Sequence, residues 1–207
     1  MFLAVAGGIG SGKTTLTRRL VDRLGYQGLY ESTADNPYLA DFYADMSRYA
    51  LPLQLRFLAW RIREVRAVQQ AGTSVVQDRT CYEDAEIFAA LLHAREEMDD
   101  RDWETYQLIA GQLLEDVTPP DLLVYLRRSP ESCAKQIANR GRDYEQSIPR
   151  AYLDELGSRY DSWFESYERG AKLVVHAEEH DFLNSDDDIE KLVTKIREAV
   201  PQRELIF

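Results

Sequence analysis

The sequence predicts an α/β domain built on a parallel sheet, and three observations carry that expectation. Short apolar runs of strand character alternate with longer segments of helical periodicity along the 207 residues, the pattern of βα units feeding a parallel sheet. A glycine-rich turn, GGIGSGKT at 7–14, joins the first apolar run to the first helical one. No internal repeat or low-complexity linker interrupts the alternation, so a single domain over 1–207 is expected.

Each element has a local reason. Residues 2–6, FLAVA, are apolar and bounded by glycine, as a buried strand is. Residues 13–24 place Leu16, Leu20, Val21 and Leu24 on one helical face, and Gly25 is a stop signal. GLYE at 28–31 reads as a second strand. From Pro37 to Gln70 the chain reads as helical in two parts, a short one through Tyr43 and a long one over 49–70 that stops near Gly72. TSVVQD at 73–78 reads as a third strand with polar residues at its end. Residues 82–97 and 102–117 read as two helices split by the charged EEMDDRD. PPDLLVYL at 119–126 gives a fourth strand after a Pro-Pro break, followed by a helix over 130–140 and an arginine-containing loop over 141–148. A helix over 149–169 and a strand at 171–177, AKLVVHA, come next. Ser185 caps a last helix through Ala199, where the acidic SDDDIE complements the helix N-terminus. PQRELIF at the end reads as a frayed tail, about 200–207.

Composition narrows the function. The net charge is −11, which argues against a nucleic acid polymer as partner but leaves room for a small anion held by a few local cations. Cys81 and Cys133 form neither a disulfide framework nor a zinc quartet, and read as buried thiols in a reducing compartment. No segment reaches the roughly 18 apolar residues of a membrane span, and the N-terminus lacks a signal-peptide pattern. A cytoplasmic protein is expected.

Gly7, Gly12, Lys13 and Thr14 fill the pattern G-x-x-x-x-G-K-[ST]. Gly7, Gly10 and Gly12 allow a tight turn whose N–H groups approach phosphate oxygens, and the helix starting near Lys13 points its positive end at the same place. Lys13 reaches the β- and γ-phosphates, and Thr14 offers its hydroxyl to Mg²⁺. The whole loop is therefore assigned to ATP or GTP: Gly7, Gly8, Ile9, Gly10, Ser11, Gly12, Lys13, Thr14 and Thr15. The motif does not say whether the γ-phosphate passes to water or to another molecule.

A phosphotransferase also needs a base near the acceptor, a second polar group on the metal, and cations for the transferring charge. These belong at the carboxyl ends of the strands. Glu31 ends the second strand candidate and can take a proton from an alcohol, or is an exposed loop acid. Asp78 and Arg79 follow the third strand, facing Mg²⁺ and phosphate or simply pairing in a turn. Gln54 and Arg61 are seven residues apart on one helix face with Phe57 and Leu58 between them, which suits a planar base. The same residues also read as core and surface charge. Arg140 and Arg142 flank Gly141 in a loop that is either a lid over phosphates or a solvated turn.

With these residues placed, the chain resembles the deoxynucleoside kinase family of P-loop phosphotransferases from about Phe2 to about residue 185. The resemblance implies a P-loop kinase fold: a parallel five-stranded sheet flanked by helices, with a lid at about 136–148. It implies Glu31 as general base, with Lys13 and Arg79 as catalytic cations. Tyr43 and Glu145 match the family's sugar 3′-hydroxyl ligands, and Gln54 and Arg61 match its base-reading helix, with Phe57 between them as a further substrate contact. DRT, Asp78-Arg79-Thr80, matches the motif at the 5′-hydroxyl and the metal; Thr14 and Asp78 would then share Mg²⁺. Asp84 stands where members that take dA, dG or dC carry Asp, and beside Arg61 it is expected to be ionised and oriented. Arg140 and Arg142 match lid arginines, and Asp181 and Phe182, in EEHDF, match the loop that holds the ATP adenine. Two positions depart from the family: Gly8 replaces an Asn, and Gln136 replaces the first lid Arg.

The expected function is transfer of the ATP γ-phosphate to the 5′-hydroxyl of a deoxynucleoside. A purine is expected, with deoxycytidine as a further substrate. Nucleotide salvage as a homodimer, or as a heterodimer with a related subunit, follows by the same resemblance. Two alternatives stay open: a kinase of nucleoside monophosphates or other small molecules, and a nucleotide-dependent switch that transfers nothing.

Overall fold

The structure is a computed structural model that describes residues 1–30 and 36–200. Glu31 and the C-terminal tail, 201–207, lie outside the described residues.

Five parallel strands form one sheet: β1 (Phe2–Ala6), β2 (Gln27–Leu29), β3 (Val75–Asp78), β4 (Leu122–Arg127) and β5 (Ala171–His176). Their order is β2-β3-β1-β4-β5. β1 is central, with Leu3 opposite Val76 on one side and Leu122 on the other. Because both faces of such a sheet are covered, its central strands can be apolar throughout. Alternation along β1 then divides the core. Leu3 and Val5 face a cluster with Leu16, Leu20, Leu192 and Val193, whereas Ala4 and Ala6 face a larger cluster with Leu58, Ile62, Ile87 and Tyr160. Each fully buried Leu or Val contributes about 1.5–3 kcal/mol.

The helices are α1 (Lys13–Leu24), α2 (Leu39–Ala44), α3 (Met46–Ala71), α4 (Cys81–Glu83), α5 (Ala90–Ala94), α6 (Asp100–Leu114), α7 (Pro130–Arg140), α8 (Arg150–Ser166) and α9 (Asp186–Ala199). α1 starts after Gly12 and ends at Gly25, whose left-handed conformation returns its N–H to the Val21 carbonyl. Asp45 separates α2 from α3 by accepting from the Arg48 N–H, and α3 runs on through Pro52. Ser185 caps α9 as expected, accepting from the Asp188 N–H.

Several boundaries differ from the sequence expectation, three of them near the site or with a local cause. The helix expected over 82–97 begins at Cys81, widens into a π-helix over Asp84–Ala89 and ends at Ala94. The widened stretch carries two residues of the site: Asp84 is held by Arg61, and the Phe88 ring lies under Arg79. α6 starts at Asp100 rather than 102 because Asp99 accepts from the Asp102 N–H at 2.8 Å. β2 ends at Leu29, two residues short of Glu31. No helix among the described residues is long and apolar enough to cross a membrane.

Candidate active site

β1 lies between β3 and β4, so the loops leaving β1 and β3 open into a shared crevice beyond their carboxyl ends. A cavity of about 570 Å³ occupies it, within the usual range for a small-molecule site.

The phosphate loop forms one end. Ile9, Gly10, Gly12, Lys13, Thr14 and Thr15 line the cavity. Gly10 has φ +79°, and a Cβ there would stand 2.5 Å from the Cys133 carbonyl oxygen, so this turn excludes a side chain on both counts. Lys13 is buried, and its ammonium donates to the Gly8 carbonyl at 2.8 Å. Gly7, Gly8 and Ser11 do not line the cavity. Ser11 is fully buried, and the Gly7 N–H points back toward the Glu83 carboxylate at 3.3 Å. Burial pushes the Cys133 thiol, behind the loop, up to about 11, so it stays neutral there.

The turn after β3 supplies the next groups. Thr14 donates its hydroxyl to Asp78 Oδ2 at 2.5 Å, while the buried Asp78 Oδ1 has no hydrogen-bond partner among the described residues. A hydroxyl and a carboxylate with a spare oxygen fit a hard divalent cation. Arg79 takes the left-handed φ of +70°, uncommon for a residue with a side chain. Its guanidinium sits over the Phe88 ring, 4.3 Å from the centroid.

The other end is shaped for a planar ligand. Gln54, Phe57, Asp84 and Phe88 line it, together with Tyr43 and Leu53. Arg61 departs from the expectation. It does not line the cavity; it is 1% exposed and grips Asp84 through Nε at 2.6 Å and Nη2 at 3.3 Å. Its Nη1 also donates to the carbonyls of Asp78 and Arg79, each at 3.2 Å. The reason is where the helix face points: α3 turns Leu58, Arg61, Ile62 and Val65 into the core. Arg61 therefore aims Asp84, which does face the cavity. Phe57 belongs to the cavity wall and Leu58 to the core.

A lid closes the top. Arg140 and Arg142 face the cavity, and both donate to the buried Glu145, Arg140 Nε at 3.0 Å and Arg142 Nη1 at 3.2 Å. Tyr144 stacks on Tyr43 with ring centroids 6.0 Å apart. Gln136 and Asn139 also line this end.

Asp181 and Phe182 do not line this cavity. The Phe182 ring is buried in the core on the α9 side of the sheet. Asp181 accepts from Asn184 and donates its N–H to Asp188, closing the turn before α9. An apolar ring within a solvated turn goes to the nearest core.

Sequence reasoning missed several groups here, three of them with clear roles in the structure. Glu83 is wholly buried and accepts from Gly7, Thr80 and Tyr160; the spacing Thr80-x-x-Glu83 is a readable capping-box signal. Arg128 braces the phosphate loop through Ser11 O at 3.0 Å and reaches the Ala177 carbonyl. Tyr152 from α8 lines the cavity, and no local pattern marks it.

A family model described as deoxynucleoside kinase matches residues 3–201. The chain is 36% identical to a deoxyadenosine/deoxycytidine kinase of Bacillus subtilis, over 96% of this chain and 92% of that one. It is also 36% identical to a deoxyguanosine kinase of Lactobacillus acidophilus, over 95% of this chain and 91% of that one. Among solved structures, the deoxyadenosine kinase of M. mycoides with bound dATP superimposes with a TM-score of 0.84 at 27% identity, covering 95% of this chain and all of that one. The same enzyme with bound dCTP gives 0.84 as well, covering 96% and 100%.

Proposed function

The chain belongs to the deoxynucleoside kinase family and phosphorylates deoxynucleosides, and we propose that it prefers a purine, moving the γ-phosphate of ATP to the 5′-hydroxyl. One observation carries the assignment of the two ends: Asp84, aimed by a buried arginine, faces the same cavity as Lys13 and Thr14. Gln54 and Asp84 together offer a donor and acceptors to the edge of a base, and Phe57 offers it an apolar face. Relatives named for deoxyadenosine, deoxyguanosine and deoxycytidine support a deoxynucleoside as the acceptor.

In this reading Glu31 takes the proton of the 5′-hydroxyl as it attacks the γ-phosphorus in line. Lys13, Arg79, Arg140 and Arg142 stabilise the charge that spreads over the equatorial oxygens. Arg140 and Arg142 exchange Glu145 for phosphate as the lid engages ATP, and Tyr43 and Glu145 bind the 3′-hydroxyl. Thr14 and Asp78 would hold Mg²⁺, which when bound neutralises charge on the β- and γ-oxygens. The loop that includes Asp181 and Phe182 would meet adenine through its backbone, because its ring is in the core. The chain works as one domain, in the cytoplasm, in nucleotide salvage, and as a homodimer or with a related subunit.

The test is kcat/KM for deoxyadenosine, deoxyguanosine, deoxycytidine and thymidine with ATP, beside AMP, GMP, dAMP and dGMP as acceptors. The largest value for a purine deoxynucleoside is expected. Dominant thymidine phosphorylation would overturn the base preference, and dominant monophosphate phosphorylation would overturn the reading of the acceptor end.

A further inference from the structure

We infer that Glu83 is a positioning residue for phosphoryl transfer, a buried carboxylate that locks the phosphate loop and the Asp78-Arg79 turn into one register. Four donors converge on it. Oε1 accepts from the Tyr160 hydroxyl at 2.8 Å and from the Gly7 N–H at 3.3 Å. Oε2 accepts from the Thr80 N–H at 2.6 Å and the Thr80 hydroxyl at 3.0 Å. The residue has no exposed surface. A carboxylate, being all acceptor, satisfies every one of these donors; a neutral amide in its place turns an N–H toward the Gly7 or the Thr80 backbone N–H, a donor that, unlike the two hydroxyls, cannot reverse its role.

A carboxylate is needed here because Arg79 is in a strained conformation. A left-handed backbone at a residue with a side chain persists only where its surroundings over-determine it. Arg79 is held from three directions. Its own N–H donates to the Val5 carbonyl at 3.0 Å. Arg61 takes the carbonyls of Asp78 and Arg79. Glu83 takes the next N–H, at Thr80. Through Gly7 the same carboxylate reaches the first residue of the phosphate loop, which packs closely on β4: a Cβ there would lie 2.8 Å from the Leu126 carbonyl oxygen. Tyr160 closes the arrangement. Burial first, and then the Glu83 charge, raise its phenol well above the usual range, so it stays a donor. Its ring meets Phe88 edge-on at 6.2 Å, under the Arg79 guanidinium. Glu83 therefore touches neither substrate, yet it sets the distance between the groups at the donor phosphates and the arginine at the transferring charge. Misplacement of such groups by about 1 Å lowers a rate on the order of a hundredfold.

This inference rests on the roles proposed above for the phosphate loop and Arg79. The experiment compares wild type, Glu83→Gln, Tyr160→Phe and Arg79→Ala, using ATP with Mg²⁺ and whichever of the four deoxynucleosides the wild type turns over best. Assays run well below each variant's melting midpoint, so a merely structural contribution leaves kcat alone. Glu83→Gln is expected to lower kcat about 10- to 100-fold while the KM for the deoxynucleoside stays within about threefold. A folded Glu83→Gln with less than a fivefold loss of kcat, or with its loss confined to the KM for the deoxynucleoside, overturns the inference. If Glu83→Gln does not fold, Tyr160→Phe decides: it keeps the ring, and a kcat loss of threefold or more at unchanged KM supports the inference, while a smaller loss overturns it. Arg79→Ala separates the two readings. Normal turnover in that variant ends the role proposed for Arg79, whereas loss there with normal turnover in Glu83→Gln ends only the role of Glu83.

Discussion

Behind the phosphate loop and the 78–80 turn the charged side chains are buried and tied to backbone; at the lid end two half-exposed arginines share one buried carboxylate. Glu83 and Arg61 are at most 1% exposed and between them hold N–H or C=O groups of Gly7, Asp78, Arg79 and Thr80. Arg140 and Arg142 have side chains 37% exposed, and both share Glu145. A buried charge bonded to backbone cannot change partners without leaving a desolvated group behind, which is severe. A half-exposed arginine exchanges one acceptor for another more cheaply, since water covers the guanidinium, provided the buried Glu145 takes a new partner as it leaves. The first arrangement suits groups that must be in place before substrate arrives, the second groups that must move with it.

The sharpest way to break this comparison is at the chemistry it serves. Lys13→Ala is expected to lower kcat about 10³-fold, and Glu31→Gln about 10²- to 10⁴-fold with deoxynucleoside still bound. Steady-state kinetics together with equilibrium binding check both; near-normal turnover in Glu31→Gln would mean that another group takes the proton. Asp84→Ala comes next. It takes from the buried Arg61 its bidentate carboxylate, so denaturant unfolding should show a loss of about 3–5 kcal/mol, and the four-deoxynucleoside profile should flatten. An unchanged profile would remove Asp84 from base choice. Arg142→Ala probes the lid: kcat/KM for ATP should fall about tenfold, with a melting midpoint close to wild type because the side chain is half-exposed. A large drop in the midpoint would show that the lid end is as fixed as the phosphate end.

The smallest effect lies off the cavity, at Glu178. Hydrogen bonds from the Ser129 hydroxyl and N–H hold its carboxyl below the usual range, the hydroxyl first. A depressed folded-state pKa gives stability that is present above the ordinary carboxylate range and is lost as pH falls through the depressed value. Glu178→Gln should therefore differ from wild type at pH 7 by no more than a few tenths of a kcal/mol, because the group is exposed. Melting curves in acid should converge. A gap that widens on acidification would contradict this sign.

Much of the cavity could be read from the chain before folding. The phosphate loop, the Asp78-Arg79 pair and the lid arginines come from short patterns and Asp84 from the family resemblance; Gly10, Lys13, Thr14, Asp78, Arg79, Asp84, Arg140 and Arg142 line the cavity. Arg61 and Phe182 could not be assigned this way. Helical spacing places Arg61 on the Gln54 face but does not say that this face turns inward between those two residues. A phenylalanine in a polar loop reads equally as adenine contact or core, and only the neighbouring α9 decides for core.

Features that depend on neighbours a few residues apart were determined by the sequence alone: the alternation of strands and helices, the glycine-rich turn, the stop at Gly25 and the cap at Ser185. Their hydrogen bonds and periodicities close within one or two turns of chain, so local chemistry suffices. Tertiary structure decided the strand order, the inward turn of Arg61 toward a carboxylate 23 residues away, and the meeting of Glu83 with Gly7 and Tyr160 across 76 and 77 residues. Those contacts form only when the sheet brings separate strand ends together, and burial then forces each charge to find its partner.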